Sequence, residues 1–517
     1  MNQYLHIYIT LLGMLTLSSS ILSQEYFSKR FDLDQGNEWG SSIIPVDDGL
    51  IVQVKGLCEI NQRICHGIMK FDFSGELIWE AIVYDSLETN FFDATTVRND
   101  TIFVNMNYID VEGKQYAILM FDKEGQYLAK HDYWDDGLLE HHQHWARGIE
   151  SDANHLFVNF TYRDSITGSP VEALRVYDNE WNIMWEHVFP GNNQPLIRCD
   201  IEVANDGGVV AIYSTRINDD DDITATVEKY TSEGFLEWSV LLPFVSTYKG
   251  TWVRIANHVD GGYAGIWRVD TFAFAIADNP SMVFKIDSDG VLEWDTIDWA
   301  TQFNLWDVFV MADGGIVACG VGENFYNDTI DESDFRTGYI VKYTSDGAKL
   351  WERRIFDTID GAYTGQLIGG MELLSNDLVF VGVIDDSIFG TPDDATPSNV
   401  WLLKLDSEGC ILSDCDDDQY ILTGIKDDLL ESHTSYTLFP NPTSGFVTIK
   451  NMNTNTSWSR GCQMNFISSN GKILKSIDIQ DFSSDIVVNV NELPNGVYYV
   501  SMKCDGFLTQ VVKMIKL

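Results

Sequence analysis

Through most of this chain, apolar runs too short for helices follow one another, each bounded by Asp, Ser, Asn and Gly. That rhythm predicts β-strands joined by tight turns. One pattern recurs: "KFDFSGELIW", "MFDKEGQYLA", "VYDNEWNIMW", "EKYTSEGFLEW", "FKIDSDGVLEW", "VKYTSDGAKLW" and "LKLDSEGCILS". Its turn positions are Gly75, Gly125, Trp181, Gly234, Gly290, Gly347 and Gly409, spaced 50 to 62 residues apart. Four residues after the turn stands a tryptophan in five copies (Trp79, Trp185, Trp238, Trp294, Trp351), replaced by Ala129 and Ser413 in the other two. Glycine supplies the positive φ of a hairpin turn, and the tryptophan is expected to pack on a sheet face.

A second turn signature runs out of phase with the first, at Asp48, Asn99, Asp152, Asp206, Asp260, Asp313 and Asn376. Each turn precedes an apolar strand with small residues, as an inner strand in a crowded core requires. One unit thus holds two hairpins, or four strands. Seven such units predict an all-β fold, a seven-bladed β-propeller. An eight-bladed ring or a split pair remains open, and a linear solenoid would need capping repeats that the sequence does not display. The segment "EYFSKRFDLDQGNEW" resembles the strand after a repeat tryptophan, while the last copy ends early at "CILSDCDDD", so the N-terminal strand is available to complete the last blade.

The composition fits a folded protein: 45% hydrophobic, 13% aromatic and 21% charged over 517 residues. The formal charge of −45 excludes the clustered cations that nucleic acid or an anionic lipid surface would need. It keeps the surface soluble and suits divalent cations.

The first residues, "MNQYLHIYITLLGMLTLSSSILSQ", read as a signal peptide over 1–23, without the usual Lys or Arg in its first part. Its apolar run falls short of the ~20 residues that span a bilayer, so no transmembrane anchor is expected. Export makes the eight cysteines readable as disulfides. Cys58 with Cys65 and Cys410 with Cys415 are close in sequence and are expected to bond; Cys462 and Cys504 are candidates to pair across a C-terminal sheet. Cys199 and Cys319 read as buried thiols. No Cys-x-x-Cys pair with matching His spacing points to zinc.

The propeller is thus assigned to 24–415. An acidic linker follows over 416–433, and a small antiparallel β-sandwich over 434–517. That last module contains "FPNPTSG", a central "NGK", "LPNGVYYV" and a lysine-bearing final strand. In this order it resembles the type A C-terminal sorting domain of type IX secretion system cargo of Bacteroidetes. The resemblance implies passage across the outer membrane, recognition by the translocon, and removal of the domain with surface attachment or release. Pro440, Asn441, Pro442, Gly445, Gly471, Gly496, Tyr498 and Lys513 sit on the matching positions. The preceding repeats resemble those often found ahead of such domains. They are only distantly similar to the Asp-box of sialidases, whose spacing is not kept, so no catalytic residue is carried across.

The repeat aspartates (Asp72, Asp122, Asp178, Asp287, Asp406, with Thr231 and Thr344 substituting) offer one cation ligand per blade, but are read as turn caps, because capping explains the substitution by threonine directly. Ca²⁺ is the ion that the runs Asp219, Asp220, Asp221, Asp222 and "CDDDQ" suit, though neither has the alternating spacing of a dedicated loop. No cofactor is required. The histidine cluster of "EHHQHW" (His141, His142, His144) offers two ligands on one strand face without an assignable third. Catalytic residues are not assigned: no G-x-S-x-G, H-E-x-x-H or phosphate loop is present. The expectation is an exported, secreted or surface protein binding a glycan or protein, with a polysaccharide hydrolase or lyase acting in the propeller mouth as the alternative.

Overall fold

The computed structural model describes residues 26–31, 38–58, 63–86, 94–110, 113–132, 145–163, 170–189, 199–216, 223–243, 252–268, 281–297, 303–323, 336–357, 364–385, 398–411, 420–423, 436–451, 462–468, 473–479, 486–504 and 507–516. Strand β1 (Phe27–Phe31) precedes blade 1, formed by β2 (Glu38–Val46), β3 (Gly49–Cys58), β4 (Arg63–Phe71) and β5 (Leu77–Ser86). Blade 2 is β6 (Ala94–Arg98), β7 (Thr101–Asp110), β8 (Gly113–Asp122) and β9 (Tyr127–Asp132). Blade 3 is β10 (Trp145–Ser151), β11 (Leu156–Arg163), β12 (Pro170–Tyr177) and β13 (Ile183–Val188). Blade 4 is β14 (Cys199–Val203), β15 (Val209–Arg216), β16 (Ile223–Tyr230) and β17 (Leu236–Leu241). Blade 5 is β18 (Val253–Asn257), β19 (Tyr263–Arg268), β20 (Ser281–Ile286) and β21 (Leu292–Ile297). Blade 6 is β22 (Phe303–Val310), β23 (Ile316–Glu323), β24 (Arg336–Tyr343) and β25 (Lys349–Asp357). Blade 7 has only β26 (Thr364–Glu372), β27 (Leu378–Asp385) and β28 (Ser398–Leu405) from the end of the repeat region. Its outermost place is filled by β1, antiparallel to β28 from Phe27 opposite Lys404 to Phe31 opposite Val400.

The first strands of successive blades touch one another around the ring, and the last, β26, touches β2. Apolar side chains fill the space between blades. Between blades 7 and 1 these include Ile43, Leu50 and Val52 against Val379, Val381, Val400 and Leu402. The fold is therefore an all-β, seven-bladed propeller, and burying both faces of each sheet is why its middle strands read as nearly continuous apolar runs.

The turn chemistry has a repeated physical basis. In the turn after each third strand, the aspartate side chain accepts from backbone N–H groups. Asp72 Oδ1 takes those of Ser74 and Glu76, each at 2.9 Å, and Asp287 Oδ1 takes those of Asp289 and Val291 at 2.9 and 2.8 Å. Thr344 Oγ1 does the same for Ala348 N at 2.9 Å. These carboxylates are spent on the turns. The other turn signature reaches across its own blade to a lysine of the third strand: Lys70 to Asp48 at 2.6 Å, Lys285 to Asp260 at 2.6 Å and Lys342 to Asp313 at 3.1 Å, with Lys229 on Asp206.

The repeat tryptophan packs across the blade boundary and not merely on its own sheet. The ring of Trp294 lies under the turn of the next blade, where Gly347 has φ +88°, and a Cβ there would stand 2.7 Å from the indole. Trp185, Trp238 and Trp294 also donate Nε1–H to the carbonyls of Ser232, Ser288 and Ser345 in the following turn, at 2.8, 3.0 and 2.9 Å. Glycine is required twice over, for its φ and for this close approach. The two irregular copies compensate one another. Blade 2 has Ala129 in place of tryptophan, and blade 3 has Trp181 (φ +66°) in place of glycine, stacked at 4.0 Å on His131 of β9. At the ring closure, Phe27 of β1 packs on Gly75, and Lys29 Nζ donates to Ser74 O at 3.0 Å.

Beyond the ring, β29 (Tyr420–Thr423), inside the acidic 416–433 stretch, lies parallel on β25. The C-terminal module comprises β30 (Tyr436–Phe439), β31 (Phe446–Asn451), β32 (Cys462–Ser468), β33 (Ile473–Ile479), β34 (Ile486–Asn489), β35 (Gly496–Cys504) and β36 (Phe507–Lys516). A three-stranded sheet, β30-β31-β34, and a four-stranded sheet, β33-β32-β35-β36, enclose Val447, Ile449, Met464, Phe466, Val500 and Met514.

Candidate functional site at the propeller axis

Both repeated turn families join the same ends of the strands, so they share one face of the ring. The non-repeated connections leave from the other face. His141, His142 and His144 belong to the connection between β9 and β10, and Asp219, Asp220, Asp221 and Asp222 to that between β15 and β16; all lie outside the described residues. No group of three or more His, Cys, Asp or Glu side chains among the described residues could hold a metal ion.

The polar chemistry that does converge lies on the innermost strands of blades 3 to 6: Glu150 on β10, Asp200 and Glu202 on β14, Arg254 and Asn257 on β18, and Asp307 on β22. Arg254 is the cation between them. Its Nη1 is 3.1 Å from Asp200 Oδ1 and its Nε 3.8 Å from Asp307 Oδ1, and its guanidinium lies 5.1 Å from the centre of the Trp252 ring. The carboxylates also stitch blades together, because an innermost strand has no further strand to take its outward N–H groups. Ile255 N donates to Asp200 Oδ2 at 2.9 Å, Gly370 N to Asp307 Oδ2 at 2.9 Å, and Asn257 Nδ2 to Glu202 Oε1 at 2.7 Å.

These groups lie deep in the ring yet keep contact with solvent: 13% of the Asp200 and 23% of the Asp307 side-chain surface is exposed. The cluster therefore borders solvent without being well solvated. Burial raises the Glu202 carboxyl to about 8, with Asp200 beside it adding to the effect. Burial likewise raises Asp307 to about 6, against the pull of Arg254. Asp200 is raised by burial, and Glu150 well above the carboxylate range by burial and by Glu202 and Asp200. All four acids around the one arginine are pushed upward, and Glu202 keeps its proton at neutral pH, because burial disfavours the charged form and like charges in a poorly solvated place cannot all ionise.

The sequence carried a faint signal of this site. Asp200, Arg254 and Asp307 each stand six residues before the turn aspartates Asp206, Asp260 and Asp313, charged positions in strands that are otherwise mostly apolar. What it could not give is that these positions meet at one axis.

The cysteines divide. Cys199 and Cys319 are buried thiols outside any disulfide. Cys462 stands directly opposite Cys504 across β32 and β35. On the β3–β4 hairpin, Cys65 is opposite Gly56 and Cys58 opposite Arg63, so the two are two positions out of register. Cys410 is buried, and Cys415 lies outside the described residues.

In the C-terminal module, Pro440, Asn441 and Pro442 follow β30. Asn441 Oδ1 accepts from Ile515 N at 2.8 Å, and Thr443 N donates to Ile515 O at 2.8 Å, tying this connection to the final strand. A Cβ on Gly445 would stand 2.5 Å from Asn491 Oδ1. Tyr498 donates its hydroxyl to Pro494 O at 2.6 Å, closing the turn that ends at Gly496. Lys513 is on β36 opposite Tyr499, and Gly471 lies outside the described residues.

Among solved structures, the chain is similar to an acylaminoacyl peptidase of Pyrococcus horikoshii, at 10% identity and TM-score 0.42, covering 81% of this chain and 59% of that one. It thus spans little more than half of that enzyme's length. It is also similar to KlAtg21 in complex with the coiled coil of AgAtg16 (12% identity, TM-score 0.42, 70% of this chain and 98% of that one). A third likeness is to an α-L-arabinofuranosidase mutant of Fusarium graminearum bound to an iminosugar inhibitor (11% identity, TM-score 0.35, 60% and 92%). No curated protein matches the chain. No helix among the described residues is long and apolar enough to cross a membrane. Residues 437–516 match the family model described as the secretion system C-terminal sorting domain, so the chain carries, after its β-propeller, a sorting domain of the kind that marks exported cargo of the type IX secretion system.

Proposed function

We propose that this protein is a secreted or surface-displayed binding protein, whose ring presents a glycan or protein ligand site at the axial mouth and on the face of the non-repeated connections. The observation that carries the reading is how the repeated side chains are used. Aspartate, lysine, glycine and tryptophan of the repeats all serve turns, ion pairs and blade boundaries, and the polar side chains that differ between blades converge at the axis on Glu150, Asp200, Glu202, Arg254 and Asp307. Carboxylates and a guanidinium bordering solvent suit hydrogen bonding to hydroxyl-rich ligands. The test is a glycan and protein array with the full-length protein, paired with Arg254→Gln. Retained binding that the variant weakens supports the reading; binding to no glycan or protein ligand, or binding indifferent to the variant, contradicts it. Delivery by the sorting domain is checked by truncation at residue 433, which leaves the propeller in the periplasm.

A second reading, hydrolysis of a polysaccharide, is favoured by one observation: Glu202, raised to about 8, keeps its proton at neutral pH while Asp307, at about 6, gives its own up, as a general acid with an ionised partner needs. Release of reducing ends from a polysaccharide panel, lost in Glu202→Gln, would select it over binding alone.

A further inference from the structure

Strand β29 has no place in the propeller's repeat. After its last turn, held by Gly409 against Trp351 and by Arg353 Nη2 donating to Glu408 O at 3.1 Å, the chain runs in the direction of an outermost strand. The outermost place of blade 7 is already taken by β1. The nearest edge is β25 of blade 6, whose direction is the same, so the added strand is parallel: Tyr420, Ile421, Leu422 and Thr423 stand opposite Arg354, Ile355, Phe356 and Asp357.

The charge pattern selects that edge. Strand β25, "KLWERRIFD", carries Lys349, Arg353 and Arg354 against Glu352 and Asp357, a small positive excess, whereas β13, β17 and β21 carry Glu186, Glu237, and Glu293 with Asp295, and no Lys or Arg. The sequence before β29 contains Asp414, Asp416, Asp417 and Asp418, and that after it Asp427 and Asp428. On any of those acidic edges such carboxylates would face like charge, whereas β25 offers a net positive one.

We propose that the outer edge of blade 6 is a docking site for the acidic segment joining propeller to sorting domain, and that residues 420–423 form a strap fixing where the sorting domain departs. The strap also covers a basic, strand-accepting edge that would otherwise invite pairing with another extended chain.

Hydrogen exchange on the full-length protein tests this. The amides within 421–423 that face β25, alternate ones along an edge strand, are slow in the wild type at low salt and accelerate at 1 M salt, as screened charges require. Arg354→Glu accelerates them about fivefold, and adding Asp416→Lys, Asp417→Lys and Asp418→Lys to it restores protection, an outcome that a charge-independent packing role does not produce. Ile421→Pro abolishes the protection while the unfolding midpoint of the ring stays within error. Exchange of 421–423 at the unstructured rate in the wild type would overturn the proposal, as would protection indifferent to Arg354→Glu and to salt.

Discussion

The exchange of roles between Ala129 and Trp181 invites a transplant into a regular blade boundary. In blade 5, Trp294 is half-buried beneath Gly347 of blade 6 and donates Nε1–H to Ser345 O. Truncation by Trp294→Ala loses that bond and the indole contacts, about 2–3 kcal/mol, less than the 3–5 of a fully buried ring. Gly347→Trp places a side chain on a residue at φ +88°, costing about 1–2 kcal/mol, and drives it into an indole that a Cβ alone would approach to 2.7 Å, about 1–3 more. Added independently, the two changes come to about 4–8 kcal/mol. In the double variant the clash is gone and the new indole occupies the vacated space, leaving the φ strain and the lost hydrogen bond, about 2–3 kcal/mol. The expected coupling is therefore about 3 kcal/mol. Guanidinium unfolding of the full-length protein, followed by tryptophan fluorescence, measures it, since all 15 tryptophans but Trp458 precede the C-terminal module. Additivity within about 0.5 kcal/mol would refute the view that indole and turn glycine share one space.

Three further outcomes follow from the same geometry. Asp377→Ala leaves Lys404 buried without its carboxylate and is expected to cost about 3 kcal/mol, whereas Asp313→Ala costs less, because the Asp313 side chain is 60% exposed and that of Asp377 only 2%; paired denaturant midpoints decide the order. Glu202 and Asp307 bind protons more tightly folded than unfolded, so their stabilisation is lost as pH rises from about 4 through about 6 and about 8; the unfolding temperature is expected to fall over that range, and Glu202→Gln to flatten the fall. The lowered carboxyls of Asp206 and Asp313 act in the opposite sense but below that window, where their stabilisation is lost on acidification. Tyr498→Phe removes the hydroxyl that closes the Pro494 turn and costs the sorting domain about 1 kcal/mol, read from its separate melting transition; an unchanged midpoint would count against that bond.

The sequence by itself determined the strands, their number per unit and the turn chemistry, because those rest on local contacts: a carboxylate capping N–H groups two and four residues on, or a glycine at positive φ, is written within a few residues. It also determined the C-terminal module, whose Pro-Asn-Pro and Asn-Gly turns are likewise local. Only the tertiary structure decided what crosses a blade boundary. Trp294 meets Gly347 more than fifty residues away, Phe27 closes the ring on a turn of blade 1 from the far end of the chain, and Trp181 makes good the loss at Ala129 in the preceding blade. The axial cluster is the extreme case. Asp200, Arg254 and Asp307 look like isolated charges in three separate strands, and their chemistry, carboxyls raised above the ordinary carboxylate range, exists only because ring closure brings them into one poorly solvated place.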